Sequence, residues 1–142
     1  MAALEKGITA SGTARQVIGV ELNRDAVKDA IANAKLNGLK NCWFTAGDAG
    51  EYMKRMAEDG MRPDVVFMDP PRAGSDKKFL SSLLKTEPKR IVYISCDPET
   101  MARDLGILTE QRRYKVKKIQ PVDMFPFTEH VETVVLMARK DT

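Results

Sequence analysis

The chain has 142 residues, 43% of them apolar and 30% charged, with 23 Lys and Arg against 20 Asp and Glu for a net charge of +3. That supports one hydrophobic core, is too short for two ordinary domains, and contains no apolar run long enough to span a bilayer. Two cysteines without a secretory leader pattern predict a cytoplasmic protein with free thiols, and with His130 as the single histidine no metal site is expected.

Residues 1–16, with an isolated Ser11-Gly12-Thr13, read as an N-terminal remnant ahead of an α/β domain over 17–142. A strand is predicted at Val17–Glu21, then a helix from about Asp25 to Asn37 with Val27, Ala30, Ile31 and Ala34 on one face and Gly38 closing it. Cys42–Ala46 is the next strand and Gly50–Asp59 the next helix. Asp64–Asp69 is a strand that runs into Pro70, Pro71 and Arg72, and two prolines stiffen a loop that would otherwise be mobile. After a helix at Lys77–Lys85 comes Arg90–Ser95, whose β-branched and aromatic run reads as a buried parallel strand. Asp97 suits a helix cap and Pro98 the first helical position, with Met101, Leu105 and Leu108 keeping an apolar rhythm. Tyr114–Val122 and Glu132–Ala138 close the chain as an antiparallel hairpin around the loop 123–127. Strands alternating with helices predict an α/β, doubly wound, mostly parallel Rossmann-like sheet that ends in that hairpin.

In such a sheet ligands bind beyond the carboxyl ends of the strands, which here carry Glu21, Asp48, Asp69 and Cys96. Glu21 suits ribose hydroxyls or the capping of the next helix. Asp48 suits an adenine amino group or the start of a turn. Cys96 lies between a strand end and a helix N-terminus, a position that favours a thiolate, while the neighbouring Asp97 carboxylate opposes it. Without further context a small buried hydrophobe is the commoner reading of such a cysteine. Lys89, Arg90, Arg112, Arg113, Lys115, Lys117 and Lys118 concentrate positive charge in the second half, which suits phosphate contacts and a solvated face equally.

Seven motifs run in order along the chain: Val20-Glu21, Gly47-Asp48-Ala49, Asp69-Pro70-Pro71-Arg72, Ser95-Cys96-Asp97-Pro98, Ala102-Arg103-Asp104-Leu105, Pro121 to Pro126, and His130-Val131-Glu132. Together they resemble the RNA uracil-5-methyltransferases, class I enzymes that use S-adenosylmethionine. The resemblance implies methyl transfer to carbon 5 of uridine in rRNA or tRNA, with Cys96 adding to carbon 6 and Glu132 removing the carbon-5 proton. It also implies Glu21 on the cofactor's ribose, Asp48 near its adenine, and Asp69 and Arg72 shaping the pocket for cofactor and target base. Two departures stand out. The family usually has asparagine where this chain has Asp97, and the family's first strand and Gly-rich cofactor loop have no match before Val17.

That second departure leads to three expectations: an incomplete catalytic domain, weak binding of S-adenosylmethionine, and an open place in the sheet between the strands at Val17–Glu21 and Asp64–Asp69. Those two strands are expected to pair directly or to borrow a strand from a second copy in a homodimer, rather than to admit residues 3–10, which are glycine-rich and weakly apolar. Two other readings compete. One is an α/β fragment or binding module without turnover. The other is an amino-methyltransferase, which would carry an aromatic where Arg72 stands and leave Cys96 and Glu132 idle.

Overall fold

The computed structural model describes residues 14–140. Strand β1 (Val17–Glu21) runs parallel to β2 (Cys42–Ala46), in register from Val17 opposite Cys42 to Glu21 opposite Ala46. Helix α1 (Arg24–Leu36) joins them. It begins at Asn23, whose side chain accepts from the amides of Asp25 and Ala26. It ends at Asn37, after which Gly38 takes φ +66°, a left-handed conformation that glycine adopts without a Cβ penalty. The stripe it buries is narrow. Val27 and Ala34 are buried, whereas Ile31 and Trp43 are half exposed and Leu36 almost fully so.

The rest of the chain builds a larger core. Helix α2 (Ala49–Glu58) leads to β3 (Val65–Met68), then α3 (Lys77–Thr86), β4 (Arg90–Ser95), α4 (Pro98–Glu110), β5 (Tyr114–Val122) and β6 (Glu132–Arg139). The four strands lie in the order β3-β4-β6-β5, with β3 parallel to β4 and β6 antiparallel to both β4 and β5. The hairpin therefore inserts its second strand beside β4. Because side chains alternate across a strand, Ile91, Tyr93 and Ser95 share one face with their partners Met137, Val135 and Thr133, and with Val66 and Met68 across on β3. All eight are buried, and Leu80, Leu83 and Leu84 of α3 with Met101 and Leu108 of α4 complete the cluster. Fully burying each such aliphatic side chain is worth roughly 1.5–3 kcal/mol.

The described residues cluster into two compact units that divide between Tyr52 and Met53, inside α2. Direct pairing of β1 with β3, expected from the sequence, does not occur: β1 pairs with β2 and β3 with β4, in separate sheets. Val66 and Met68 of β3 are buried in the core that β4 shares. The expectation about residues 3–10 falls outside the described residues. Cys42 and Cys96 are both free thiols. No helix among the described residues is long and apolar enough to cross a membrane.

Candidate active site

Four of the six residues singled out in the sequence, Asp69, Arg72, Cys96 and Glu132, belong to the second unit; Glu21 and Asp48 belong to the first. In the second unit the antiparallel register of β4 and β6 ends with Ser95 opposite Thr133. Cys96 follows directly on Ser95, and Glu132 directly precedes Thr133 as the first residue of β6. Cys96 and Glu132 are both half-buried. The turn after β4 is tied down at once, because the Asp97 amide donates to Ser95 Oγ at 3.0 Å and the Ser95 hydroxyl donates to the Asp97 carbonyl at 3.0 Å. Asp97 then caps α4, its Oδ1 accepting from the Thr100 amide at 2.9 Å. That amide, followed by the Thr100 hydroxyl, holds the Asp97 carboxyl below its ordinary range, with a smaller share from the positive charge of Arg72.

Strand β3 delivers Asp69 and the loop that follows. Asp69 stands one residue beyond Met68, which pairs with Tyr93. Its side chain keeps solvent access, yet the protein atoms packed around it push its pKa up by desolvation. The loop is strapped to α4 along its length. The Thr100 hydroxyl donates to the Arg72 carbonyl at 2.9 Å, and Arg103 Nη2 donates to the carbonyls of Ala73 at 3.0 Å and Ser75 at 3.3 Å. Asp104 accepts from the Ser75 amide at 2.7 Å, from the Tyr93 hydroxyl at 2.7 Å, and from Arg103 Nε and Nη2 at 2.9 and 2.8 Å. The sequence reading matched Ala102–Leu105 as a motif and gave it no task. A signal was there: Met101, Asp104 and Leu108 stand at helical spacing on the buried stripe, which places a carboxylate where an apolar residue belongs.

In the first unit Glu21 and Asp48 stand together at the carboxyl ends of neighbouring parallel strands. The Gly47 amide donates to the Glu21 carbonyl at 3.0 Å, which brings Asp48 beside β1. Glu21 Oε1 accepts from the Asn23 amide at 2.8 Å, and this bond is the main cause of its lowered pKa. Asp48 Oδ1 accepts from the Glu51 amide at 2.8 Å at the start of α2. Both carboxylates therefore have a structural job, and each stands at the sheet edge where ligands of such folds bind. Among the described residues no group of three or more His, Cys, Asp or Glu is arranged to hold a metal ion.

Comparison with known proteins extends these observations. The model of the tRNA (uracil-5-)-methyltransferase family matches residues 7–140. A protein of Enterococcus faecalis described as an uncharacterized RNA methyltransferase is 50% identical over 133 residues, which cover 94% of this chain and 29% of the relative. One from Clostridium acetobutylicum with the same description is 50% identical over 131 residues, 92% of this chain and 28% of its own. Among solved structures, the Pyrococcus abyssi tRNA (uracil-54, C5)-methyltransferase in complex with S-adenosyl-L-homocysteine is 34% identical with a TM-score of 0.72, over 87% of this chain and 29% of that one. The chain thus spans under a third of the length of these relatives. With a match over nearly all of its own residues, the chain belongs to the tRNA (uracil-5-)-methyltransferase family.

Proposed function

We propose that this chain is catalytic machinery for transferring a methyl group from S-adenosylmethionine to carbon 5 of a uridine in rRNA or tRNA, through a covalent adduct of Cys96 with carbon 6. The observation that carries the reading is the antiparallel pairing of β4 with β6, since Cys96 follows the last residue of one strand and Glu132 is the first residue of the other. Carbon 5 of uracil is a poor nucleophile. Addition of the Cys96 thiolate to carbon 6 breaks the 5,6 double bond and places an electron pair on the enolate, so that carbon 5 can attack. The cofactor, when bound, supplies an electrophilic methyl group. Glu132 then takes the proton from carbon 5, the double bond re-forms, and the Cys96 sulfur leaves with its electron pair as thiolate.

The residues present fit the adenosine end of that cofactor. Glu21 and Asp48 are carboxylate acceptors on adjacent strand ends, suited to ribose hydroxyls and to the adenine amino group. Asp69, with its raised pKa, and the exposed Arg72 follow β3 on one stiffened loop and are assigned to the pocket for the cofactor and the target base. The S-adenosyl-L-homocysteine held by the Pyrococcus abyssi enzyme supports S-adenosylmethionine as the cofactor.

The test is a trapping experiment with RNA containing 5-fluorouridine and S-adenosylmethionine at millimolar concentration. Fluorine at carbon 5 does not leave as a cation, so the unmutated chain should accumulate a covalent protein–RNA adduct, and Cys96→Ala should form none. Glu132→Gln should add to ordinary uridine RNA and transfer the methyl group, yet release product slowly. Adduct formation by Cys96→Ala would refute the nucleophile assignment, and normal turnover by Glu132→Gln would refute the base. An unmutated chain that binds the RNA without forming any adduct would favour the second reading, a binding module of the same fold without turnover.

A further inference from the structure

We propose that Asp104 and Arg103 are positioning residues that hold the loop carrying Asp69 and Arg72 against the end of β4, and that this clamp sets the rate at which a bound pyrimidine meets Cys96. The inference rests on the reaction proposed above. It starts from an unusual placement: Asp104 has 0% exposure, on a helix stripe otherwise filled by Met101 and Leu108. A buried carboxylate is costly unless hydrogen-bonded on every side, and this one is. One oxygen takes the Ser75 amide and the Tyr93 hydroxyl; the other takes Arg103 through two nitrogens.

Three elements meet at that carboxylate: the loop through Ser75, strand β4 through Tyr93, and α4 through Asp104 itself. Tyr93 is two residues before Ser95 and three before Cys96, on the strand that presents the thiol. Desolvation and the neighbouring carboxylate push the Tyr93 pKa far up, so its hydroxyl keeps its proton and stays a donor. Arg103 extends the clamp to the carbonyls of Ala73 and Ser75, and Thr100 reaches the Arg72 carbonyl. Every residue from Arg72 to Ser75 other than Gly74 is thereby bonded to α4 through its backbone. Gly74 is the close-approach point: its amide donates to the Pro71 carbonyl at 2.8 Å, and its φ is +78°. An added Cβ there would run into the Arg103 guanidinium and come within 2.8 Å of Asp104 Oδ2. Two prolines stiffen the loop at its start, and the clamp fixes its far end.

The chemistry needs such a clamp, because misplacing a reacting partner by about 1 Å can slow a step on the order of a hundredfold. Cys96 itself is held by the Ser95–Asp97 turn, which does not involve Asp104. Loss of the clamp should therefore slow RNA adduct formation without slowing the intrinsic reaction of the thiol.

The experiment compares Arg103→Ala, Asp104→Asn and the unmutated chain. Arg103 is 51% exposed, so its truncation opens no cavity in the core, although it takes the counter-charge and two donors from buried Asp104. Three readouts are taken: amide exchange of Ser75, the rate of Cys96 alkylation by iodoacetamide, and the rate of adduct formation with 5-fluorouridine RNA. Both variants should speed Ser75 exchange and slow adduct formation by roughly tenfold or more, with alkylation within about twofold of the unmutated chain. Arg103→Lys, which keeps one donor, should recover part of the rate. Unchanged Ser75 exchange in both variants overturns the clamp, as does a parallel fall in alkylation, which would mean general damage to the thiol's setting. If the unmutated chain itself forms no adduct, the reaction proposed above fails, and the exchange of Ser75 alone decides whether the clamp exists.

Discussion

The two units bury very different amounts of apolar surface. Among the described residues of the first, Val27 and Ala34 are the buried apolar side chains, while Ile31 and Trp43 stand half exposed. In the second, β4 and β6 face two helices with Leu80, Leu83, Ile91, Tyr93, Leu108, Val135 and Met137 all at 0% exposure. The groups assigned to covalent chemistry stand on the well-packed unit, and the acids assigned to the cofactor stand on the thin one. Positioning two reacting groups to fractions of an ångström requires strands that cannot shift, and a dense core provides that. Accepting hydrogen bonds from a flexible adenosine requires less, and local caps on Glu21 and Asp48 are enough to aim them.

The strongest way to break this comparison is through the cores. Leu83→Ala removes a fully buried side chain and should cost about 2–5 kcal/mol of stability, whereas Ile31→Ala, at a half-exposed position, should stay below about 1 kcal/mol. Urea unfolding followed by near-ultraviolet circular dichroism gives both numbers. Equal losses would mean that the thin unit depends on Ile31 far more than its exposure implies.

A smaller effect separates the units by function. Glu21→Gln removes a charged acceptor and should raise the KM for S-adenosylmethionine by roughly tenfold to a hundredfold, the equivalent of about 1.5–3 kcal/mol for one charge-assisted hydrogen bond. Cys96 alkylation should be unaffected by that change. A fall in alkylation rate alongside the KM effect would show that the acids of the first unit also shape the thiol's setting.

Much of this architecture could be read from the residues. β1, β2 and β5 begin and end where the sequence places them, and Asp97-Pro98 marks the start of α4. Periodicity and capping are local, so they are visible in a window of a few residues. The pairing of strands is not local. β3 takes β4 as its parallel neighbour, and the core that buries the pair is filled by Leu80 and Leu83 of α3, which no short window around β3 includes. Asp104 is legible only in part: helical spacing sets an acid on the apolar stripe, but the partners that explain it, Ser75 and Tyr93, are brought to it by the fold.

The same contrast carries an acid-range signature. Glu21 is hydrogen-bonded in its charged form, so its folded pKa is lowered; its stabilising share is full above the unfolded value of about 4.3 and is lost as pH falls through the folded value. Asp69 is desolvated, so its folded pKa is raised; its share is full below the unfolded value of about 3.9 and is lost as pH rises through the folded value. Acidification around pH 4 therefore weakens the first unit at Glu21 and relieves the second at Asp69. Carboxyl-carbon NMR titration should find Glu21 titrating below, and Asp69 above, the ordinary value of its own residue type. A shift of either group in the opposite direction would mean that its local environment does not act as the structure indicates.

The smallest expected effect concerns the residue next to the thiol. Asp97 does two things: its carboxylate caps α4 through the Thr100 amide, and its negative charge stands one residue from Cys96. Asp97→Asn keeps an acceptor of the same shape, and Asn and Asp are about equally good caps, so helix stability should change little. The charge disappears. A negative charge beside a thiol disfavours the thiolate, which is the reacting form, so its removal should increase the rate of Cys96 alkylation at neutral pH by a fewfold. Arg72 offsets part of that charge in the unmutated chain, since it lies close enough to help hold the Asp97 carboxyl ionised. Pairing Asp97→Asn with Arg72→Gln therefore separates the two influences: the first should accelerate alkylation, and the second, in the presence of Asp97, should slow it. Alkylation rates that ignore both substitutions would mean that the helix N-terminus alone sets the reactivity of Cys96, and that the second unit controls its nucleophile through backbone geometry rather than through neighbouring charge.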